Sequence, residues 1–351
     1  MSSQVTVYSP MGVPLADLDV GAFRAWGINV ATEASFKIST KDNKCREEFL
    51  QYGNILLIQH DTLPPWVGFF ETPRQWNYGS VQCNAISAEV WFSWRLTHLY
   101  PFRGTLSDLF RYIIHDCNSW EGLTMGYGDI DDSVVFAWAA LGGRAQDHID
   151  RMVEQWGVEW SITHRITASG WLQLYANLYE NLRGNDTHLV LNNANSKMIS
   201  PLLTEDGAIW NDVFYLSEQG TGKRTFGRAQ DEISIGTYGL RQLMEQGTGA
   251  YQPGLEFMAW MKLQETKNPS IMTSASVLKT GDAWNHLQIG NTFYFDSEFS
   301  GFRGAPIGIS AMFRIVGMEY TDGDDTVGLI AELAHYHLTA RERLALAKRL
   351  A

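Results

Sequence analysis

The stretch from Pro306 to Leu338 limits what this chain can become more than any other. It begins with one strand-like run, PIGISAMFRIVGMEY at 306–320, and passes through TDGDD at 321–325. A second run, TVGLIAELAHYHL, follows. Met312, Val316 and Met318 fall on one side of the first run, and Phe313 and Ile315 fall on the other. A strand that is apolar on both sides has no face to offer water, so protein must cover it twice. The pattern predicts a barrel-like β-module seated against neighbouring protein.

β-character also fills the first hundred residues. FRAWGINVATEASFKIS (23–39) and GNILLIQHD (53–61) are rich in β-branched and aromatic side chains. PPWVGFFETPRQW and VQCNAISA flank NYGS at 77–80, which predicts a hairpin with Gly79 at positive φ. Pro64 and Pro65 make the approach to that strand irregular, because neither can donate to a ladder.

The pattern changes at Pro101-Phe102-Arg103-Gly104. Leu106, Leu109, Phe110, Ile113 and Ile114 then recur at helical spacing, with Thr105 and Asp108 placed as a capping box with a short acid. A second helix is expected in RAQDHIDRMVEQWG, where Ala145, Ile149, Met152, Val153 and Trp156 share a face. Gly157 stands at its left-handed C-terminal cap. Strands return in VEWSITHRI and WLQLYANLYE, the latter with Leu172, Leu174, Ala176 and Leu178 at alternate positions. THLVL and AIWNDVFYL are strand-like, and LEFMAWMKLQET (255–266) reads as a helix before Asn268-Pro269. The closing TARERLALAKRLA has Thr339 and Glu342 in capping-box spacing, with Leu344, Leu346, Ala347 and Leu350 as apolar surface. A helix this short must dock on its own domain or on a neighbouring subunit.

Charge and cysteine usage narrow the function. Lys and Arg total 27 against 39 Asp and Glu, a formal charge of −12, and no long basic run occurs. Proteins that track phosphates need clustered cations, so this balance argues against a nucleic-acid grip. Cys45, Cys83 and Cys117 are odd in number and widely spaced, and free buried thiols are expected. MSSQVTVYSPMG lacks the basic and apolar regions of a signal peptide, and VVFAWAALGG (134–143) is too short to span a bilayer. Synthesis and folding in a cytoplasm are the expectation.

Motifs for chemistry fail one by one. GTGKRT at 220–225 suggests a phosphate loop, but Ser217 stands where its first glycine belongs and Arg224 where its hydroxyl belongs. His335 and His337 share one side of a strand without a third ligand at diagnostic spacing, as partly buried or interface histidines would. GDIDDS (128–133) and TDGDDT (321–326) resemble pieces of calcium loops, yet neither reaches a suitably placed Glu, and turn chemistry explains both. The chain has no GxSxG elbow, no HExxH and no dinucleotide fingerprint. A carboxylate pair for glycoside chemistry stays open, since acids and tryptophans are plentiful. No catalytic residue, cofactor or metal is predicted.

One phrase points elsewhere. DEISIGTYGLRQ at 231–242 follows GKRTFGRAQ, and the run resembles a segment of the tail (baseplate) hub proteins of long-tailed bacteriophages. The matching positions are Asp231, Ser234, Ile235, Tyr238, Gly239 and Arg241. GTGKRT then becomes the turn and strand before that phrase. Other pieces are similar in the same order. WVGFFETPRQWNYGSVQCNAISAEVWFSWRL, with Arg95, resembles the end of the first hub barrel. GTLSDLFRYIIHDCN and IDRMVEQWGVEWSI resemble helices of the inserted middle domain, and LQIGNTFYF through FRIVGMEYTDGDDTVGLIAEL resembles the closing barrel. AWAALGG and the loop around 245–255 have no counterpart.

The resemblance implies an α+β fold: two β-barrel-like domains, an inserted α/β middle region and a C-terminal helix. The expected divisions are an N-terminal barrel at 1–98, the middle region at 99–270, a second barrel at 271–338 and the helix at 339–351. It also implies a structural virion protein assembled in the host cytoplasm. Three copies would present six barrels, adapting a sixfold tail tube or distal tail ring to a threefold tip, fibre or spike. The tape-measure protein would be a further partner, and viral DNA would pass through an acidic lumen without specific binding. Within such a particle, the alternative is a sixfold distal tail ring protein, and a contractile injection machine would use a similar hub. Outside that class, the alternatives are a virion-associated carbohydrate-active enzyme and a carbohydrate-binding module.

Overall fold

The computed structural model describes residues 3–133, 135–180, 183–192, 198–206, 209–217, 225–247, 252–268, 270–279, 283–300 and 306–333. The expected helix at 339–351, His335, His337 and residues 220–224 lie outside them. Two compact units form, one from Met1–Pro201 with Ser274–Ala340, the other from Leu202–Thr273.

The first unit begins with β1 (Gln4–Tyr8), β2 (Pro14–Leu18), β3 (Ala22–Gly27) and β4 (Glu33–Ser39). The short helix α1 (Glu47–Leu50), β5 (Ile55–Gln59), β6 (Trp66–Asn77) and β7 (Ser80–Ser87) follow. Strict alternation explains β7: Val81, Cys83 and Ala85 point inward, and Gln82, Asn84 and Ile86 are only partly covered. Asn77 pairs with Ser80 around Tyr78-Gly79, and Gly79 takes φ 96°, so the predicted hairpin is present. Val5, Phe36, Ile38, Leu56, Phe70 and Val81 belong to the shared core of these strands.

A 3₁₀ helix of 7 residues, Ala88–Trp94, leads to the middle elements. These are β8 (Leu96–Thr105), α2 (Leu106–Asn118), β9 (Met125–Ile130), β10 (Phe136–Arg144), α3 (Ala145–Trp156), β11 (Glu159–Ile166) and β12 (Leu172–Tyr179). Both helices match their sequence signals. Thr105 and Asp108 form the reciprocal capping box of α2, and Gly157 closes α3 at φ 64°. β8 and β10 make a two-stranded ribbon, whereas β9, β12 and β11 form a separate sheet. Phe92 sits between them, within 6.0 Å of Trp91, Phe110 and Trp160 by ring centroids.

After β13 (Asp186–Asn192), β14 (Met198–Asp206) carries the chain out to the second unit. There, β15 (Asp212–Ser217) lies between β16 (Phe226–Gln230) and β17 (Gln242–Gly247), with α4 (Glu232–Tyr238) connecting the latter two. Helix α5 (Gln252–Thr266) covers one face, burying Leu255, Ala259 and Leu263 against Val213 and Tyr215. β18 (Ser270–Leu278) returns, followed by β19 (Thr292–Ser300), β20 (Pro306–Thr321) and β21 (Thr326–Leu333).

The α+β class is as expected, with one difference in how the β-rich ends are arranged. They do not close separately. β20 pairs with β3 through Met318–Trp26, Glu319–Ala25 and Tyr320–Arg24, so one open sheet contains the run β21-β20-β3-β4-β7-β6-β5-β1-β2. The two-faced apolar pattern of 306–333 is answered here. β20 is flanked by β3, β19 and β21, and Phe313, Ile315, Met318, Tyr320, Val327 and Leu329 are buried.

Candidate assembly surface

The phrase at 231–242 builds a polar lock within the second unit. Asp231 caps α4 by accepting from the Ser234 backbone N–H at 2.9 Å, and it pairs with Lys267 at 3.2 Å. The Ser234 hydroxyl donates to the Lys267 carbonyl at 2.5 Å. Gly239 ends the helix at φ 78° and ψ 164°, a backbone region that only glycine enters readily. Fully buried Asn211 secures the turn that follows. Its amide donates to the Gly239 carbonyl at 2.8 Å, and its side-chain oxygen accepts from the Arg241 N–H at 2.8 Å. Gln242 donates to Asp212 at 2.7 Å, and Arg228 grips the same carboxylate at 2.6 and 2.9 Å. The Arg228 hydrogen bond holds the Asp212 carboxyl below its ordinary range. Asp231, Ser234, Gly239 and Arg241 are therefore fold-determining contacts, while Ile235 is half-buried and Tyr238 exposed. Asn211 and Asp212 belong to the same lock; nothing in their local spacing signals it.

Two buried ion networks hold the first unit together. Arg24 donates to Asp322 at 3.0 Å, between the rings of Tyr320 and Trp26 at 5.0 and 5.5 Å. Asp322 also accepts from the Ala22 N–H at 3.0 Å and the Ser3 hydroxyl at 2.5 Å. The acidic TDGDDT turn is thus a tie between strands. In the second network, Arg314 of β20 meets both oxygens of Glu159 on β11 at 2.7 Å. Arg183 donates its N–H to Glu159 at 3.1 Å and its guanidinium to the Gly27 carbonyl at 3.1 Å. Such pairs fix which element lies against which.

A cleft of about 330 Å³ opens beside Trp26, Trp66, Glu89, Tyr179 and Arg183. Among its walls Glu89 is the carboxylic acid, and burial pushes that acid up despite hydrogen bonds from Ser87 and the Ile162 backbone. Glu159, bound to Arg314, is not among those walls. Cys83 and Cys117 are free and buried, with burial pushing both thiols up to about 12, and Cys45 is half-buried. Among the described residues, no three His, Cys, Asp or Glu side chains gather as a metal site, and no helix is long and apolar enough to cross a membrane.

The surface itself is rich in apolar side chains. Trp94, Leu96, Leu99, Tyr100 and Trp120 are exposed around β8, with Leu99 90% accessible. Arg95, the arginine of the barrel-like phrase, lies over Trp91 at 5.1 Å and donates to the carbonyls of Glu121 and Leu123. The outer edge of β8 is guarded. Asp116 accepts from both the backbone N–H and the ring Nδ1 of His98, at 2.6 and 2.8 Å, and the Trp120 indole donates to the Leu96 carbonyl at 2.8 Å. These side chains occupy the donor and acceptor positions that a foreign strand would use. The arrangement suits contact with other folded proteins through side chains, not through strand addition at this edge.

No family model matches the chain, and no curated protein matches it by sequence. Solved structures do match. The 43 kDa tail protein of prophage MuSo2 from Shewanella oneidensis superposes with a TM-score of 0.64 at 9% identity, covering 97% of this chain and 99% of that one. A tail protein from Neisseria meningitidis MC58 gives 0.62 at 12% identity, covering 98% and 99%. The E. coli c3393 protein, described as a type VI secretion component structurally similar to the T4 tail proteins gp27 and gp5, gives 0.51 at 9% identity, covering 92% and 75%. This chain has the fold of phage tail proteins over nearly its whole length.

Proposed function

We propose that this protein is a structural, non-enzymatic component of a phage tail or a related injection assembly, acting as a trimeric hub at the tail tip. The observation that carries the reading is end-to-end likeness in fold to tail proteins, with almost no residue left over on either side. A trimer would place its repeated β-modules around an axis, meeting a sixfold tail tube or distal ring on one side and a threefold tip, fibre or spike on the other. Tape-measure protein would dock from the tube side. A net charge of −12 fits a conduit that lets DNA pass without holding it. Exposed tryptophans and leucines around β8 supply the kind of side chain that buried protein contacts use.

Electron microscopy and native mass spectrometry of the purified chain test this directly. A threefold ring with a central opening is expected, with DNA released at moderate salt. Six copies would transfer the chain to a distal tail ring. A monomer that releases sugars or peptides from peptidoglycan would replace the reading with an enzyme.

A further inference from the structure

The cleft beside Trp26 and Glu89 joins two unlike kinds of lining, all of it within the first unit. Trp26, Val30, Pro64, Pro65 and Trp66 are apolar, and they come from 26–30 and the approach to β6. Glu89, Ser161, Tyr179, Asn185 and Gln288 are polar, and most come from β11, the end of β12 and the turns beyond it. Both kinds are held in place. Trp26 donates its indole N–H to the Pro65 carbonyl at 3.5 Å, and Trp66 donates to the Thr32 hydroxyl at 3.4 Å. With those N–H groups spent, the rings offer the cleft only carbon. Glu89 accepts from the Ile162 N–H at 3.3 Å, and the Ser161 and Tyr179 hydroxyls lie 3.4 Å apart. Asn185 and Gln288 are exposed, and each carries an amide with donors and an acceptor side by side.

Charge rules out the ionic ligands. Among the described lining residues Glu89 is the one acid and Arg183 the one base. A cation drawn to the face of Trp26 meets the Arg183 guanidinium, which is fixed on the Gly27 carbonyl at 3.1 Å. An anion meets Glu89, whose acid burial already pushes up. A wholly apolar ligand would strand the polar groups without partners. What remains is a neutral molecule with hydroxyls on its rim, which donate and accept. Its face should carry C–H groups, which suit the negative face of an indole. A sugar ring divides itself in that way. At about 330 Å³ the cleft is near the small end of the ~300–1,000 Å³ range of small-molecule sites. That is room for a short glycan end and not for a polymer laid along it.

We propose that this cleft binds the end of a neutral glycan, with Asn185, Gln288 and Glu89 at the ring hydroxyls and Trp26 against the C–H face. Glycoside cleavage uses two carboxyl groups, and the described lining supplies Glu89 alone. The sugar is therefore held and released unchanged. Nothing in this depends on the trimeric reading above; it adds recognition to a structural role.

The test uses the full chain and four probes: methyl α-glucoside, methyl β-galactoside, methyl α-rhamnoside and N-acetylglucosamine. Saturation-transfer NMR and calorimetry are expected to show at least one bound with a Kd of about 1–10 mM, the range that ligand efficiency allows so small a molecule. Asn185→Ala and Gln288→Ala change exposed side chains, so folding is retained. Each is expected to weaken that probe roughly 3- to 10-fold, the scale of one hydrogen bond. Preference for N-acetylglucosamine points to a cell-wall glycan and preference for a plain glycoside to a surface polysaccharide; either result supports the site. The inference fails if no probe binds, as when the chain's own residues fill the cleft, or if both substitutions leave binding untouched. It fails equally if choline or acetate binds more tightly than every sugar, or if a bound glycoside is hydrolysed. Oligomeric state, read on the same samples, separates the two claims. A monomer that binds sugar overturns the hub reading alone, and a trimer that binds none overturns only this one.

Discussion

Arg24 and Asp322 pair at 3.0 Å with both side chains almost completely buried, although 298 positions separate them. The pair sits where β3 and β20 join the two β-rich ends of the chain. Asp322→Asn leaves the guanidinium buried without its counter-charge and is expected to cost about 3–5 kcal/mol. Replacing both together, as Arg24→Met with Asp322→Leu, is expected to cost less, because no charge is then stranded. Urea denaturation of the single and double variants checks the order.

His60 gives the same region a pH dependence. Its Nδ1 accepts from the Thr62 and Leu63 N–H groups at 3.2 and 3.4 Å, and its ring lies 5.5 Å from Tyr320 and 6.1 Å from Trp284. Burial lowers its pKa, Arg24 and Lys279 add to the effect, and Asp322 and Asp61 oppose it. The unfolded chain therefore takes up the proton more readily than the folded one. The contribution of neutral His60 is complete above the unfolded pKa of about 6.5 and is lost as pH falls through the depressed folded value. A melting temperature that drops between pH 7.5 and pH 5 is expected, with a shallower drop in His60→Asn, which keeps an acceptor but does not titrate.

The lock in the second unit has two separable parts. Gly239→Ala forces a side chain into a glycine-only region and is expected to cost roughly 1–3 kcal/mol. Asp231→Ala removes the α4 cap and is expected to cost about 1 kcal/mol. Hydrogen exchange should report both losses first at residues 226–247.

Asp116→Ala tests the guard on β8. Losing two charge-assisted hydrogen bonds to His98 is expected to destabilise by roughly 1.5–3 kcal/mol. It also uncovers strand edge, so light scattering should rise with concentration more steeply than for wild type.

Local signals were legible and distant ones were not. The Thr105–Asp108 box, the Gly157 cap and the Tyr78-Gly79 turn each depend on residues within four positions, and each is formed as the sequence implies. The phrase at 231–242 was recognisable by resemblance, but Asp231 opens a helix and the turn after Gly239 leans on Asn211, 28 residues earlier than that glycine. The pairing of β3 with β20, and of Glu159 with Arg314, leaves no local mark because alternation describes which way a side chain faces and not which strand lies beside it. The exposure of Trp76 and Tyr78 is harder still to read, since an aromatic at a turn has the same spelling whether it is covered or bare.

The joining of β3 to β20 has a consequence for biosynthesis. At about 5–20 residues per second, a ribosome needs roughly 15–60 s after making Ala25 before it reaches Glu319, its neighbour in the sheet. Throughout that interval the nascent polypeptide holds a strand whose second border is still unmade. Productive maturation must wait for β20, and products truncated before it would leave that border open to strangers.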